Sequence, residues 1–203
     1  MRGVDELALL DIGATPEGRG PDLDLIRELS ESCFMPLAVG GGVQTLNDAL
    51  ALLDAGADKV VVGTCTQAIE PIAGHLGSQA VVASIDVRHG EVVAACGTRP
   101  TGKDPVEWAR MCESLGAGEI LLTCVDREGT LSGYDLDLIR AVSRAVMVPV
   151  VAAGGCGSYA HMREAISVGA SGVASGAMFQ FCDATPLGAA KYLQEQGMVV
   201  RCP

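Results

Sequence analysis

The sequence has few aromatic side chains, few positive charges and no long apolar runs. Only 3% of its 203 residues are Phe, Trp or Tyr, and 14 Lys and Arg stand against 25 Asp and Glu, a net charge of −11. Nucleic-acid binding depends on clustered cations that release counterions, so this balance argues against a nucleic-acid partner. Gly, Asp or Lys interrupts every apolar run well before the roughly 20 residues that a membrane span needs, which argues against a membrane partner.

The N-terminus and the cysteines also exclude several classes of protein. Met1 is followed by neither an apolar leader nor a small-residue cleavage site, so a cytoplasmic location is expected. Eight cysteines are spread without a close pair, which excludes a zinc knuckle and a CxxC redox motif. We expect reduced thiols that act as small core residues, no metal and no cofactor. A hydrophobic content of 49% over this length predicts a single domain spanning residues 1–203.

A repeat runs through the chain. The hexapeptide DLDLIR occurs at positions 22–27 and again at 135–140, an offset of 113 residues. The same offset holds over 60 residues without a gap, which chance does not easily produce. It relates the pairs Gly3 and Gly116, Glu6 and Glu119, Leu9 and Leu122, Pro36 and Pro149, Gly41-Gly42 and Gly154-Gly155, Gly56 and Gly169, Val60 and Val173, and Gly63 and Gly176.

Each copy alternates short apolar runs with segments of helical period, which predicts strands separated by helices. The predicted strands are Leu7–Asp11, Pro36–Val39, Lys59–Val62, Ala80–Asp86, Leu121–Val125, Pro149–Ala152 and Gly172–Ser175, and a small hairpin is predicted at Glu91–Cys96. Alternating strands and helices indicate a parallel sheet covered by helices. Two equal halves favour a (β/α)8 TIM barrel over an open doubly wound sheet.

The repeat also predicts what these residues lack. Ala80–Asp86 opens the second half, so its counterpart in the first half falls before residue 1. We therefore expect an N-terminally incomplete barrel with seven of its eight strands.

Functional residues are expected where the C-terminal ends of the strands converge. Glycines follow matching strands in both halves, and glycine there frees backbone N–H groups to hold an anion. Their pairing predicts an elongated ligand with a phosphate at each end. Asp86 ends an apolar strand, so its carboxylate is suited to general acid or base catalysis, whereas Asp11 and Asp126 are more typical of carboxylates that order loops.

The opposite, N-terminal ends of the strands carry Glu6, Lys59 and Glu119. Charges at these positions are costly in a barrel floor unless they pair with one another. Two interpretations stay open at this point: a salt-bridge layer that closes the bottom, or a functional site there.

Eight stretches together resemble one family. DELALLDI, FMPLAVGGG, GADKV, GSQAVVASID, RPTGKDPVEWA, GAGEILLTCVDREGT, SGYDLDLIRAV and VPVVAAGGCG look like HisF, the cyclase subunit of imidazole glycerol phosphate synthase, and its paralogues. The resemblance covers essentially the whole chain. It implies a (β/α)8 barrel that acts on a ribulosyl aminoimidazole carboxamide nucleotide with a phosphate at each end. It also implies a glutamine amidotransferase partner, whose ammonia crosses the barrel and drives cyclisation to imidazole glycerol phosphate and an aminoimidazole carboxamide ribotide.

The resemblance assigns a role to individual positions. Asp86 matches a catalytic aspartate, and Asp58 matches a residue that faces the glutaminase. Glu6, Lys59 and Glu119 match three of the four charged residues that gate the ammonia entrance. The phosphate-holding positions are Gly42, Thr64, Gly129, Gly155, Gly176 and Ala177.

Some positions depart from the family pattern. The family's other catalytic aspartate and the gate's arginine stand on the first strand, which is not among these residues, and the departures elsewhere are Gly63 for Asn, Glu128 for Asp, Ala153 for Ser and Ala177 for Ser. The chain is thus either a truncated cyclase or a diverged paralogue. FMPLAVGGGV and TPLGAAKYLQEQGMVVR resemble paralogues that deliver ammonia for amidation of surface-polysaccharide sugars. A broken barrel that binds no ligand is the third alternative.

Overall fold

A computed structural model describes residues 3–201, and its centre is a parallel sheet of seven strands. These strands are β1 (Leu7–Leu10), β2 (Leu37–Gly40), β3 (Lys59–Val62), β4 (Val81–Arg88), β7 (Glu119–Cys124), β8 (Val150–Ala153) and β9 (Gly172–Val173), and two further strands, β5 (Glu91–Ala94) and β6 (Arg99–Lys103), form a hairpin on β4. The parallel strands pair in the order β1-β2-β3-β4-β7-β8-β9. Each strand therefore lies beside the next one along the chain, as in a (β/α)8 barrel.

Helices follow the strands and cover the outside of the sheet. They are α1 (Ala14–Glu17), α2 (Leu23–Ser30), α3 (Leu46–Asp54), α4 (Ile69–Leu76), α5 (Pro105–Ser114), α6 (Leu136–Ser143), α7 (Tyr159–Ser167), α8 (Ala177–Phe181) and α9 (Pro186–Glu195). Over residues 3–201, none of these helices combines the length and apolar character required to cross a bilayer. The predicted class, an α/β TIM barrel, is confirmed.

The outer edges of the sheet are β1 and β9, and within the described residues neither pairs with a strand on that side. Leu7 and Leu10 of β1 are exposed, whereas Ile120, the repeat partner of Leu7, is fully buried beside β4. This is the geometry of a barrel with seven of its eight strands. The eighth strand that the repeat predicts falls before residue 1 and lies outside the described residues.

The 113-residue repeat is visible in the helix ends. Asp22 precedes α2 and its carboxylate accepts a hydrogen bond from the Leu25 N–H at 3.1 Å. Asp135 precedes α6 and accepts from the Leu138 N–H at the same distance. The side chain satisfies an N–H that the first helical turn leaves unpaired, so the two DLDLIR copies start equivalent helices for the same reason.

Alternation along the strands separates two apolar layers. Residues such as Val60, Ile85 and Ile120 face the helices and form the large core. The opposite side chains face the barrel interior, where Ala38, Val61, Val82 and Leu121 form a second cluster together with the partly buried Val151, Ala153 and Ala174.

The structure corrects the predicted hairpin. Glu91–Cys96 was expected to hold both of its strands, but it contains only β5 and the start of the turn, and β6 begins at Arg99. A hairpin register depends on the turn, and three consecutive left-handed residues at Ala95, Cys96 and Gly97 were not foreseeable from two non-glycine residues.

Candidate active site

The floor of the barrel is an ion-pair layer. Lys59 Nζ lies 2.8 Å from a carboxylate oxygen of Glu6 and 2.8 Å from one of Glu119. Burial lowers the pKa of Lys59, but hydrogen bonds to Glu119 and Glu6 outweigh it, so the pKa ends above its usual value. The predicted salt-bridge layer is confirmed, and one cation is shared between two carboxylates.

Apolar side chains fill the barrel interior above this floor. Ala38, Val61, Val82 and Leu121 are buried there and pack against Val151, Ala153 and Ala174. A Cβ on Gly40, at the end of β2, would lie 2.7 Å from the Val61 side chain. This apolar interior separates the ion pairs from the opposite end of the barrel and gives water or an ion little to bind.

Asp86 stands at the other end of the barrel interior, towards the C-terminal end of β4. It faces the interior from β4 and pairs in register with Thr123 of β7 on one side and Val93 of the hairpin on the other. Within residues 3–201 no donor binds its carboxylate, and burial raises its pKa. A carboxyl group with a raised pKa holds and releases a proton closer to neutral pH, as general acid or base catalysis requires.

Asp11, at the end of β1, is held quite differently. Its carboxylate accepts hydrogen bonds from the Gly13 and Ala14 N–H groups at 3.0 and 3.2 Å and from the Arg19 guanidinium at 2.5 and 3.0 Å. The hydrogen bond from Arg19 contributes most to lowering the pKa of Asp11. Asp11 therefore stays ionised and orders its loop, as the sequence predicted. Asp126 also orders a loop, because one of its carboxylate oxygens accepts the His89 N–H at 2.7 Å.

The paired glycines have a packing reason that is identical in the two halves. Gly41 and Gly154 have φ of +115° and +91°, and a Cβ on either would lie 2.5 or 2.4 Å from a carbonyl oxygen at the end of the preceding strand. A Cβ on Gly42 or Gly155 would likewise clash with a carbonyl oxygen of the preceding βα loop, that of Arg19 or of Gly133. Close backbone approach thus accounts for these glycines by itself.

The glycines one strand further along are different. A Cβ on Gly63 would come no closer than 3.8 Å to Ser84, and one on Gly176 or Gly129 would meet nothing within 4 Å. Gly176 precedes α8 without a side-chain cap, so the first N–H groups of that helix, beginning at Ala177, are not used by a cap. This open space and these donors suit a phosphate better than the packed glycines do.

Asp58 lies on the floor side, next to Lys59. It is exposed, and one carboxylate oxygen accepts the Leu37 N–H at 2.8 Å. The structure therefore gives Asp58 a local role at the start of β2, whereas its contact with a partner stays a prediction.

Sequence reasoning missed two arginines and the tip of the hairpin. Arg19 holds Asp11, and Arg88 Nη1 donates to the Gly97 carbonyl at 2.6 Å. Thr64 accepts the Ala95 N–H at 2.9 Å, so a predicted phosphate residue is bonded to the hairpin tip. The signal for Arg88 was available, because it lies two residues after Asp86 and therefore on the same face of β4.

Two comparisons with known proteins agree with this architecture. A family model described as histidine biosynthesis protein matches residues 1–185. The imidazole glycerol phosphate synthase subunit HisF of Pyrobaculum aerophilum is 44% identical over 207 residues, which cover 98% of this chain and 82% of that protein. A match of this extent shows that the chain belongs to the histidine biosynthesis protein family, among the HisF proteins.

Proposed function

We propose that the chain is the ammonia-dependent cyclase subunit of imidazole glycerol phosphate synthase. It would convert the bis-phosphate ribulosyl aminoimidazole carboxamide nucleotide into imidazole glycerol phosphate and aminoimidazole carboxamide ribotide, as a lyase of histidine biosynthesis in the cytoplasm. The observation that carries the proposal is Asp86, a carboxyl group of raised pKa that faces the barrel interior and accepts no hydrogen bond within residues 3–201. The HisF relative supports it.

The floor supports entry of ammonia from below. The Lys59 ammonium between Glu6 and Glu119 lies at the N-terminal end of the apolar interior and is held by two charge-assisted hydrogen bonds. In this proposal ammonia enters when the Lys59 side chain shifts aside, and then crosses the apolar interior. A glutamine amidotransferase docked on the same face, where Asp58 is exposed, would deliver ammonia there without release to solvent.

Asp86 is the proposed proton-transfer group. Its raised pKa keeps a fraction of the carboxyl protonated at higher pH than a solvent-exposed aspartate, so it can give a proton to a leaving oxygen and recover one from the attacking nitrogen. Proton transfer of this kind contributes about 10²- to 10⁴-fold to the rate. No cofactor enters this scheme.

The two phosphates would anchor the substrate at opposite sides of the mouth. On one side the proposed positions are Gly42 and Thr64, whose hydroxyl stands next to the open space at Gly63. On the other side they are Gly129, Gly155, Gly176 and Ala177, of which Gly176 and Ala177 stand at the start of α8. Holding both ends positions the reacting centre between them, which lowers the entropic part of the barrier.

Replacement of Asp86 by Asn tests the assignment. With ammonium chloride as nitrogen source, we expect Asp86→Asn to lower kcat by about 10²-fold or more, while KM changes little because the phosphates hold the substrate. Asp137→Asn, an exposed carboxylate on α6, is the matched control and should keep wild-type turnover. Formation of the imidazole product is followed by chromatography. Wild-type turnover in Asp86→Asn would show that another group carries the proton.

One observation favours a second candidate, an ammonia conduit for amidation of surface-polysaccharide sugars. Two further carboxylates stand close to the mouth, and both are already bonded: Asp11 to Arg19 and two N–H groups, and Asp126 to the His89 N–H. Neither is therefore a free second acid or base beside Asp86 in the described residues. A conduit needs the floor and a route through the interior but no proton transfer. Wild-type protein that passes ammonia from a glutaminase and yet forms no imidazole product would establish the conduit and exclude the cyclase.

A further inference from the structure

The tip of the β5–β6 hairpin has an unusual backbone. Ala95, Cys96 and Gly97 have φ of +50°, +56° and +79°. Two of these residues carry a Cβ, and L-residues with a side chain avoid this left-handed region. Such a turn persists only where its surroundings hold it in place, and held strain of this kind is common beside functional sites.

Two hydrogen bonds tie the tip to residues outside the hairpin. Arg88, at the end of β4, donates from Nη1 to the Gly97 carbonyl at 2.6 Å. The Ala95 N–H donates to Thr64 Oγ1, in the loop after β3, at 2.9 Å. The tip is thus bonded both to Arg88 of β4, the strand that precedes the hairpin, and to Thr64 in the loop after the neighbouring strand β3.

This reach places the tip beside the Asp86 carboxyl group. Val93, two residues before Ala95, is paired with Asp86 in the sheet. Arg88 lies on the same face of β4 as Asp86, so its hydrogen bond to the Gly97 carbonyl holds the tip on the side of the sheet that Asp86 faces. Burial raises the pKa of the Cys96 thiol most, and the charges of Asp86 and Asp11 raise it further.

We propose that Thr64 and Arg88 are positioning residues that hold the hairpin tip over Asp86, and that a phosphate group bound at Thr64 tightens this cover. The inference rests on the proposed function, because it uses the phosphate site at Thr64. A threonine hydroxyl accepts and donates at the same time. With the Ala95 N–H as its donor, Thr64 still has its O–H to give to a phosphate oxygen, and hydrogen bonds in such a chain strengthen one another.

The repeat indicates that this contact between a phosphate-site residue and the hairpin tip exists on one side of the mouth only. The position 113 residues after Thr64 is Ala177, which has no hydroxyl, and the hairpin follows β4 and leans towards β3. Binding of the phosphate on the Thr64 side would therefore close the cover, whereas the phosphate near Gly176 would only anchor the other end.

The Ala95 amide is itself the reporter of closure. Its hydrogen exchange is measured by NMR with and without inorganic phosphate, and phosphate binding is measured separately from the shifts of the Gly42 and Gly63 amide signals. Strengthening by the bound phosphate should slow Ala95 exchange about fivefold in the wild type. Thr64→Ser keeps the hydroxyl and should behave alike, whereas Thr64→Val should bind phosphate more weakly and show no slowing at saturation.

Two further variants distinguish a positioning role of Thr64 and Arg88 from a merely structural one. Thr66→Val, in the same loop, is the matched control and should keep the wild-type response. Arg88→Gln removes the bond to Gly97, so Ala95 exchange should become faster, and kcat should fall more than KM changes because the tip no longer covers Asp86.

Each outcome decides the inference. Phosphate binding with slowing only in the wild type and the Thr64→Ser and Thr66→Val variants supports it. Binding without slowing, or equal slowing in Thr64→Val, overturns the cover and leaves the phosphate site in place. Absence of binding overturns both the cover and the phosphate site, and turnover of Asp86→Asn then judges the remaining part of the proposed function independently.

Discussion

Replacing Lys59 with Met tests the floor of the barrel. The change keeps an unbranched side chain of similar length and removes the charge that Glu6 and Glu119 share. Removing one partner of a shielded ion pair leaves the other charges uncompensated, which costs more than the pair itself contributes. The folded protein should therefore lose stability at neutral pH.

The size of the loss follows from the distances. Both carboxylate oxygens lie 2.8 Å from Nζ, so they are separated by no more than twice that distance. At an effective dielectric constant of about 20, two like charges so close repel by about 3 kcal/mol. Glu6 and Glu119 keep 31% and 21% of their side-chain surface exposed, so water screens part of this repulsion. We expect a fall of about 1–2 kcal/mol in the free energy of unfolding.

Urea unfolding at several pH values measures the effect. At pH 7 the urea midpoint of Lys59→Met should lie below that of the wild type. Lys59→Arg keeps the charge and should stay close to the wild type. Lys103→Met, on the exposed hairpin strand β6, is the matched control for loss of a positive charge.

The pKa of Lys59 gives a second check at alkaline pH. A pKa raised by folding contributes stability that is present below the unfolded value of 10.5 and is lost as pH rises through the folded pKa. Wild-type stability should therefore fall there, and Lys59→Met should not show this fall. An unchanged midpoint for Lys59→Met at pH 7 would refute the charge argument.

Three further predictions concern the mouth and the repeat. Burial raises the pKa of Asp86, so the folded protein loses stability as pH rises above 3.8, the usual value. Asp86→Asn should therefore be as stable as the wild type at pH 3 and more stable at pH 7. The difference in the free energy of unfolding, measured by chemical denaturation, should be about 1.4 kcal/mol for each unit by which the pKa is raised. Gly154→Ala should lower the free energy of unfolding by about 2–3 kcal/mol, because the φ of Gly154 is positive and a Cβ there meets the Cys124 carbonyl oxygen. Gly176→Ala, which has open space around it, should change stability by no more than about 0.5 kcal/mol. Equal melting temperatures of the two variants would contradict this. Asp135→Ala removes a helix cap and should cost about 1 kcal/mol in the same assay, with no loss meaning that solvent serves the Leu138 N–H equally well.

Sequence reasoning predicted the strands and their order well, for a reason visible in the repeat. The 113-residue offset placed Glu6 and Glu119, and Asp22 and Asp135, at equivalent points, and both pairs occupy equivalent places in the structure. Alternating strands and helices of these lengths allow few topologies, so the barrel followed from pattern alone.

Reasoning from the glycines was less complete. Gly41, Gly42, Gly154 and Gly155 were interpreted through phosphate binding, yet contacts with neighbouring backbone already require glycine at each of them. These contacts join chain segments that are distant in sequence, so no local sequence pattern predicts them. Gly63 and Gly176, which have open space around them, stay the better candidates for contact with a phosphate.

The sequence by itself determined the duplicated barrel, the charged floor and the position of Asp86, because these depend on periodicity and on the end of a strand at which a residue stands. Only the tertiary structure decided which carboxylate at the mouth stays free. Arg19 reaches Asp11 and nothing in residues 3–201 reaches Asp86, while Thr64 meets a hairpin tip 31 residues away. Such contacts depend on where side chains from separate loops meet in space, and spacing along the chain does not encode that.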